Sequence, residues 1–398
     1  MGTQMNDIKQ SALNMREQLI KDRRYFHKNP ELSREERQTS EYIRSSLNVE
    51  GIPWTQVCET GVKGLIRGSA PGKTILLRAD MDALPVQEAS SFRFASCRPG
   101  VMHACGHDAH MSMLLGAGRI LNHRKDRLHG NVVLCFQPAE EGKGGGRQIV
   151  QEGILKHPSV DYAVALHVDP THKAGCITLE DGPVTANPDF FTITVTGQGG
   201  HGAFPEKSRD PLLPAVKIYE RIRALHSVAP AGEKAVVQLC SIRGGSAPAV
   251  IPDSVIIQGT VRTQTSAART LIWDGIDRIL LEADAAYPVS FALEYWSGGF
   301  AVYNNPLYSE LARRSIRRDF TFTTAGDLKM IGDDFCYFSE QVPASYLFLG
   351  CAPEGSAPYF SLHSPAFALE EDILPMGAYA LAKIALDFLS DPSYKKKG

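Results

Sequence analysis

The stretch Thr74-Ile-Leu-Leu-Arg78 decides the fold class, because it is a short, almost continuous apolar run of the kind that forms a strand buried on both faces. Two further runs of this kind follow, Val132-Val-Leu-Cys-Phe136 and Tyr162-Ala-Val-Ala-Leu166. Segments with helical periodicity, around Ser112–Leu121 and Gly146–Leu155, lie between them. This alternation of buried strands and helices predicts an α/β layer with a mostly parallel sheet.

The region before these strands is predicted to be helical. Ile8–Leu47 has apolar residues at helical spacing, interrupted at Pro30. Ser33 followed by Glu36 has the pattern of a capping box, so we expect a second helix to begin there. Met1–Ile20 lacks the apolar core and cleavage site of a secretory signal, and no later run approaches a membrane span in length. We therefore expect a cytoplasmic protein.

A second domain is predicted to be inserted into the first. After Gly182-Pro183 the pattern predicts, in order, a strand, a helix, two strands, a helix and a strand: Phe190–Thr196, Leu212–Leu225, Ala235–Ile242, Ser254–Arg262, Thr270–Ala286 and Val289–Trp296. This order is typical of a small α+β, ferredoxin-like domain. We place the inserted domain at residues 185–297 and the larger domain at residues 1–184 and 298–398.

Composition limits the classes of function. The chain of 398 residues exceeds what one hydrophobic core usually serves, which agrees with two domains. Its formal net charge is −2, and its basic run Lys395–Lys397 is only a short tail, so we expect neither nucleic acid nor membrane as a partner. The eight cysteines have no framework spacing, which in a long chain indicates reduced thiols.

Side chains that bind metals are concentrated in Met102-His-Ala-Cys-Gly-His-Asp-Ala-His110. Thiol sulfur and imidazole nitrogen bind zinc and similar ions, so this segment predicts a metal site. Two other interpretations stay open. Each histidine taken singly is equally typical of an ordinary buried or surface residue. Alternatively, Cys105 is a nucleophile that His107 activates as a thiolate-imidazolium pair.

Further donor side chains follow the ends of predicted strands. Glu140-Glu141 comes after the second strand, His167 after the third, and His363 after a later one at Tyr346–Leu349. In open α/β sheets, sites form beyond the carboxyl ends of the strands, so we expect these donors to converge. Adjacent glutamates are usually a solvated pair. At the end of an apolar strand, however, one can bind metal while its neighbour acts as a general base toward water.

The order of the motifs resembles one family. The motifs are Arg78-Ala-Asp-Met-Asp-Ala-Leu-Pro85, Met102–His110, Gln137–Gly142, Leu166-His-Val168, Gly197-Gln-Gly-Gly-His201, Val250-Ile-Pro-Asp253, Leu362–Phe367 and, near the N-terminus, His27-x-x-Pro-Glu-Leu-Ser33. They resemble the aminoacylase branch of the co-catalytic zinc metallopeptidases, which includes hippurate hydrolases, N-acyl-amino-acid amidohydrolases and auxin-conjugate hydrolases. The resemblance covers nearly the whole chain.

The resemblance implies a catalytic domain of the zinc-exopeptidase type that binds two divalent metal ions per subunit. Zinc or manganese is expected, with cobalt and nickel as alternatives. The implied metal ligands are Cys105, His107, Glu141, His167 and His363. Glu140 would be the general base, and Asp80 would orient a ligating histidine. Arg78 stands where peptidase relatives have a metal-binding histidine, and because a guanidinium stays protonated, Cys105 is the expected replacement donor.

The resemblance further implies hydrolysis of the amide bond of N-acyl amino acids by a metal-activated water. The inserted domain would act as a lid and form a homodimer or a dimer-based homo-oligomer. His201, in a glycine-rich turn of this lid, would stabilise the oxyanion, either in its own subunit or in that of the partner. Arg262 is a candidate carboxylate clamp for the substrate, or alternatively a solvated strand arginine.

Two other functions stay open. One is a dipeptidase or carboxypeptidase on the same scaffold, and the other is a non-catalytic binding protein that retains the fold. A binding protein would have no use for Glu140 as a base beside a metal site. The preferred amino acid is not predicted, since Ala249 and Glu206 of the lid depart from the residues that many relatives carry.

Overall fold

The computed structural model describes residues 2–230, 233–324, 326, 330–353 and 361–393. The chain divides into two compact units. The first unit comprises Met1–Gly182, Tyr303–Gly326 and Asp334–Gly398, and the second comprises Pro183–Val302 and Asp327–Asp333. The second unit is therefore inserted into the sequence of the first.

The helices and strands follow the predicted order. Up to the insertion they are α1 (Gly2–Asn14), α2 (Arg16–Lys28), α3 (Arg37–Val49), β1 (Trp54–Val57), β2 (Gly61–Arg67), β3 (Ala70–Asp80), α4 (His107–Asn122), β4 (His129–Gln137), α5 (Gly145–Gln151), β5 (Tyr162–Lys173) and β6 (Cys176–Thr178). The middle of the chain forms β7 (Gly182–Pro183), β8 (Asn187–Thr196), β9 (Gly200–His201), α6 (Leu212–Ala224), β10 (Ala235–Arg243), β11 (Val250–Ile251), β12 (Ser254–Thr263), α7 (Ser266–Ala286) and β13 (Ser290–Ser297). The last part forms β14 (Tyr303–Asn304), α8 (Pro306–Ile316), β15 (Thr321–Thr323), α9 (Cys336–Gln341), β16 (Ala344–Ala352) and α10 (Ile373–Ser390).

The first unit is built on a sheet of eight strands in the order β1-β2-β4-β3-β5-β16-β6-β15. Its centre is parallel, with β3 between β4 and β5, and β5 beside β16. Successive strand residues point to opposite faces, yet Ile75, Leu76 and Leu77 of β3 are all fully buried, so both faces of the sheet are covered. Antiparallel pairs occur toward the edges. The predicted α/β layer with a mostly parallel sheet is confirmed.

The second unit has a sheet with one covered face. Its strands lie in the antiparallel order β10-β12-β8-β13. Phe191, Ile193 and Val195 of β8 are buried and belong to one core with residues of α6 and α7, whereas the intervening residues of the strand are less buried. The main elements follow the predicted order of strand, helix, strand, strand, helix and strand.

The predicted capping box is wrong. Ser33 donates its hydroxyl to Asp82 Oδ2 at 2.6 Å, and the carboxylate of Glu36 accepts from more distant partners. The buried carboxylate of Glu31 instead accepts two backbone amides of the first turn of α3, at 3.2 and 2.9 Å. The helix still begins at Arg37, but its free amides are satisfied from outside the predicted motif. Tertiary contacts prevailed over the local pattern.

One described helix, α10, is long and apolar enough to cross a membrane, judged by length and composition alone. This corrects the expectation that no run approaches that length. However, 78% of the helix is buried inside the protein. Ala378, Leu381 and Phe388 of α10 belong to the hydrophobic core of the first unit. Burial within this core accounts for the apolar composition of the helix.

Candidate metal centre

The candidate site lies where β3 and β4 end together. Asp80, the last residue of β3, is opposite Gln137, the last residue of β4, in a parallel pair. The segment after β3 carries Asp82, and the segment after β4 carries Glu140-Glu141. Because parallel strands end at the same edge of a sheet, side chains that are far apart in the sequence meet there.

The five predicted ligands form two overlapping groups. Cys105, His107 and His167 place one donor atom each within 4.8 Å of one another, and so do Cys105, Glu141 and His363. The sulfur of Cys105 lies 3.6 Å from His167 Nε2, and His363 Nε2 lies 3.4 Å from Glu141 Oε1. Since Cys105 belongs to both groups, these residues could hold two neighbouring cations.

Two buried donor atoms of the site lack hydrogen bonds. His107 Nε2 and Glu141 Oε1 have no hydrogen-bond partner among the residues that the structure describes, and they lie 3.9 Å apart. Unpaired buried polar atoms are costly, so a ligand for both atoms is expected. His107 Nδ1 lies 2.8 Å from the carbonyl oxygen of Asp82. A carbonyl only accepts, so Nδ1 carries a proton, and in the neutral imidazole Nε2 then presents the lone pair that a metal ligand must offer.

The electrostatics of the cluster favour a cation. Burial raises the pKa of the Cys105 thiol well above its ordinary value, and the carboxylates of Glu141 and Glu140 raise it further. Burial by itself lowers the pKa of His107, but Asp80 and Asp82 raise it to about 10. A divalent ion supplies the positive charge that these carboxylates favour and stabilises the thiolate. The residues present therefore fit a metal ion.

Glu140, the predicted general base, lies at the border of this cluster. Its carboxylate, that of Glu141 and the His107 ring offer donor atoms within 4.8 Å of one another. The Asp334 amide donates to Glu140 Oε1 at 3.4 Å. Glu140 is half-buried, so its carboxylate is near the ligands and still accessible to water. This position is the one that a general base beside a metal site needs.

Asp80 makes its short contact with a histidine to which the sequence assigned no role. Asp80 Oδ1 lies 2.6 Å from His110 Nδ1, and His110 Nε2 accepts the Val168 amide at 2.9 Å. The His110 ring centre is 4.5 Å from that of His167. Asp80 Oδ1 thus orients His110, whose ring packs on the predicted ligand His167. The other oxygen, Asp80 Oδ2, lies 3.7 Å from Nε2 of the predicted ligand His107. That Asp80 orients a ligating histidine directly stays a prediction.

Arg78, which the family resemblance placed at the position of a metal-binding histidine, is buried in an ion network. Its guanidinium donates to Asp80 at 2.7 Å, to Asp334 at 3.0 Å and to Gln137 at 2.9 Å. Asp334 Oδ2 also accepts the Gly146 amide. A planar guanidinium can bind several acceptors at once, so Arg78 joins the ends of β3 and β4 to the segment that contacts Glu140.

His201 and Arg262, the predicted substrate-binding residues, belong to the second unit. His201 lies on β9, opposite Val250 of β11, and is exposed. Its Nδ1 accepts the Ala203 amide at 3.1 Å. Arg262 is half-buried on β12, with its guanidinium 5.2 Å from the centre of the Phe190 ring. Burial lowers the pKa of Arg262 from its ordinary value.

Residues 76–387 match the family model described as Peptidase family M20/M25/M40. The chain belongs to this family. Thermostable carboxypeptidase 2 of Saccharolobus solfataricus is 35% identical over 393 residues, which are 96% of this chain and 97% of that protein. N-acetyl-L-cysteine deacetylase of Bacillus subtilis is 34% identical over 385 residues, 96% of this chain and 91% of that protein.

The solved structure of a Bacillus subtilis protein, described as a dinuclear metal binding peptidase from the M20 family, is similar to this chain over nearly the whole of both chains. The TM-score is 0.82 at 31% identity, and the match covers 94% of this chain and 99% of that one. The predicted family resemblance is therefore confirmed, and so is the fold class.

Proposed function

We propose that this protein hydrolyses the amide bond of N-acyl amino acids with two divalent metal ions bound per subunit. The observation that carries the proposal is the cluster of the buried Cys105, His107 and His167, the half-buried Glu141 and the exposed His363, beside the carboxylate of Glu140. The similarity to N-acetyl-L-cysteine deacetylase supports the substrate class, and the similarity to a dinuclear peptidase supports the number of ions.

The five predicted ligands would hold the ions. When bound, two such ions polarise a carbonyl oxygen and lower the pKa of water. Thiolate sulfur favours zinc, whereas carboxylate and imidazole donors also accept manganese, cobalt or nickel. We propose zinc or manganese as the ions used in the cell.

Glu140 would move the proton in this reaction. Its carboxylate would take a proton from the attacking water and return it to the nitrogen of the leaving amino acid. The Asp334 amide donates to one carboxylate oxygen and so restricts its orientation. Glu141, the next residue, would serve as a ligand, because one of its oxygens is buried without a hydrogen-bond partner among the described residues.

His201 would stabilise the oxyanion of the tetrahedral intermediate. The Ala203 amide donates to Nδ1 of the ring, so Nδ1 is the acceptor and Nε2 carries the proton of the neutral imidazole. Nε2 can therefore donate a hydrogen bond to a developing negative charge. Arg262 would bind the carboxylate of the amino acid.

We also propose a cytoplasmic homodimer, or an oligomer built from such dimers, that forms through the second unit. Strands β10 and β13 are the edges of its sheet. On β13, Tyr295 and Trp296 are exposed by 61% and 50%, which provides apolar surface at an open edge. In such a dimer, His201 acts either in its own subunit or in that of the partner.

The test is a comparison of substrates on the metal-loaded enzyme. N-acetyl and N-benzoyl amino acids should be hydrolysed, a chelator should abolish the activity, and zinc or manganese should restore it. Activity that persists after complete removal of metal would contradict the proposal. The second candidate is a carboxypeptidase or dipeptidase, which the similarity to thermostable carboxypeptidase 2 favours. A higher kcat/KM for dipeptides than for every N-acyl amino acid would select that function.

A further inference from the structure

Asp82 is a buried carboxylate in the motif Arg78–Pro85, and the proposed mechanism assigns it no role. It lies two residues beyond the end of β3 and is 1% exposed. A buried carboxylate is costly unless its oxygens are hydrogen-bonded. The partners of Asp82 therefore indicate what it does.

The two oxygens of Asp82 accept the backbone amides of the glutamate pair. The Glu140 amide donates to Oδ1 at 3.1 Å, and the Glu141 amide donates to Oδ2 at 2.9 Å. Two consecutive amides that point at one carboxylate form an anion-binding nest. Asp82 thus holds the chain at the residues that the mechanism uses as base and ligand.

The backbone conformation before the pair explains why such a contact is needed. In an extended strand, Glu140 and Glu141 would point to opposite faces, yet both carboxylates lie near His107. A turn brings them to one side, and Ala139 within it has a φ of +56°. That region is uncommon for residues other than glycine, so the turn requires stabilisation from elsewhere.

The backbone of Asp82 also contacts the metal centre. Its carbonyl oxygen accepts the proton of His107 Nδ1 at 2.8 Å, which leaves Nε2 free for metal. One residue therefore contacts the base Glu140, the ligand Glu141 and the ligand His107. These contacts join three chain segments, since Asp82 is 25 residues before His107 and 58 before Glu140.

We propose that Asp82 is the positioning residue of the metal centre, which aligns the Glu140 carboxylate with the ligands Glu141 and His107. This inference rests on the proposed function, because it assigns the base and the ligands as above. Asp82 contacts these groups through its carboxylate and its carbonyl, and it takes no part in proton transfer itself.

The test compares Asp82→Asn with Ser33→Ala in the metal-loaded protein. Asparagine keeps the shape of the side chain but turns an amide NH₂ toward one of the two backbone amides, which removes that hydrogen bond. Ser33→Ala removes the hydroxyl that donates to the same carboxylate at 2.6 Å, and it leaves both backbone contacts intact. It is therefore the matched control.

We expect Asp82→Asn to lower kcat roughly 10–100-fold and to weaken zinc binding to a similar degree, as other residues that orient metal ligands do. KM should change by no more than about twofold, because Asp82 is 1% exposed and is therefore not a surface that a substrate would contact. Hydrogen exchange of the peptide that contains Glu140 and Glu141 should become faster in Asp82→Asn and stay unchanged in Ser33→Ala. This exchange measures the proposed contacts without any dependence on catalysis.

A second variant tests the role of the turn. Glycine adopts positive φ without strain, so Ala139→Gly added to Asp82→Asn should recover part of the lost kcat. Equal losses in Asp82→Asn and Ser33→Ala, or wild-type exchange in Asp82→Asn, would overturn the proposal. So would a failure of both Asp82 variants to fold, because Asp82 would then serve general stability.

If the wild type and Ser33→Ala hydrolyse no N-acyl amino acid, the proposed function fails, while hydrogen exchange and zinc affinity still test the role of Asp82.

Discussion

The metal centre and the turn that carries His201 differ in how firmly the fold holds them. Cys105, His107 and His167 are buried, and the proton of His107 is directed by a backbone carbonyl. His201 is exposed on a strand of two residues, and its ring accepts an amide from Ala203, two residues further along the same turn. These three predicted ligands are therefore positioned by the core of the first unit, whereas His201 is positioned by a turn and a short pairing with β11.

The architecture of the two units explains this difference. In the first unit both faces of the sheet are covered, so side chains at the ends of β3 and β4 are surrounded by other elements. In the second unit one face of a four-stranded sheet packs on helices, and Ile256 of its central strand β12 is 41% exposed. A residue in the second unit therefore has fewer neighbours that could restrict its side chain.

For the metal centre of the first unit, the sharpest test separates the roles of the adjacent residues Glu140 and Glu141. Glu140→Gln should keep its metal and lose at least a factor of about 100 in kcat, because the general base is removed. Glu141→Gln should lose metal. Metal content by elemental analysis, measured with kcat, distinguishes the two. Metal loss confined to the Glu140 variant would show that the roles are reversed.

The turn of the second unit is tested by His201→Ala. This variant should lower kcat about a hundredfold, because a hydrogen-bond donor to the oxyanion is lost. Metal content should stay unchanged, because the predicted ligands all belong to the first unit. A variant that loses metal as well would break the distinction between the two regions.

Complementation shows which subunit His201 serves. Glu140→Ala and His201→Ala chains that are unfolded and reassembled together should give about half mixed dimers, each with one intact site if His201 acts across the dimer. Roughly a quarter of the wild-type activity should return. If mixed dimers are present and no activity is recovered, His201 does not act in the partner subunit.

Cys105→Ser tests whether the buried thiol is a ligand or a nucleophile. A hydroxyl is a poorer donor for these metals, so binding should weaken roughly 10–100-fold, about the cost of a disturbed metal site. In cobalt-substituted wild type, a sulfur-to-cobalt charge-transfer absorption should appear, and it should be absent from the serine variant. Trapping of an acyl-thioester on Cys105 would instead support the nucleophile.

The smallest expected effect concerns His27, whose contacts stabilise the fold of the first unit. Its Nδ1 lies 2.8 Å from Asp108 and its Nε2 lies 3.1 Å from Glu88. Burial alone would lower the pKa of His27, and Arg23 also lowers it, but the two carboxylates raise it overall. Because the folded pKa is raised, this stabilisation is fully present below the unfolded value near 6.5 and is lost as the pH rises through the folded value.

His27→Gln should therefore lower the free energy of unfolding by about 2 kcal/mol at pH 6, the scale of hydrogen bonds to charged groups. The difference in the free energy of unfolding between His27→Gln and wild type should shrink as the pH rises beyond 6.5, while both carboxylates stay ionised. Urea unfolding at several pH values measures this trend. A difference that grows with pH would show that His27 is neutral in the folded protein.

Local patterns predicted most elements but not their partners. The apolar runs of β3, β4 and β5 and the helices α6 and α7 were predicted correctly, because period and apolar content are properties of neighbouring residues. The capping box of Ser33 and Glu36 was wrong, because both side chains found partners from distant segments. His110 and Asp82 were missed for the same reason, since their contacts come from segments distant in the sequence.

The sequence alone determined the α/β class, the family and the types of donor atoms, because each follows from residue type and order. Tertiary structure decided which atoms meet. Asp82 reaches the amides of Glu140 and Glu141 across 58 and 59 residues only because β3 and β4 are parallel and end together. A hydrogen bond depends on distances of a few ångströms between such segments, and no periodicity along the chain encodes them.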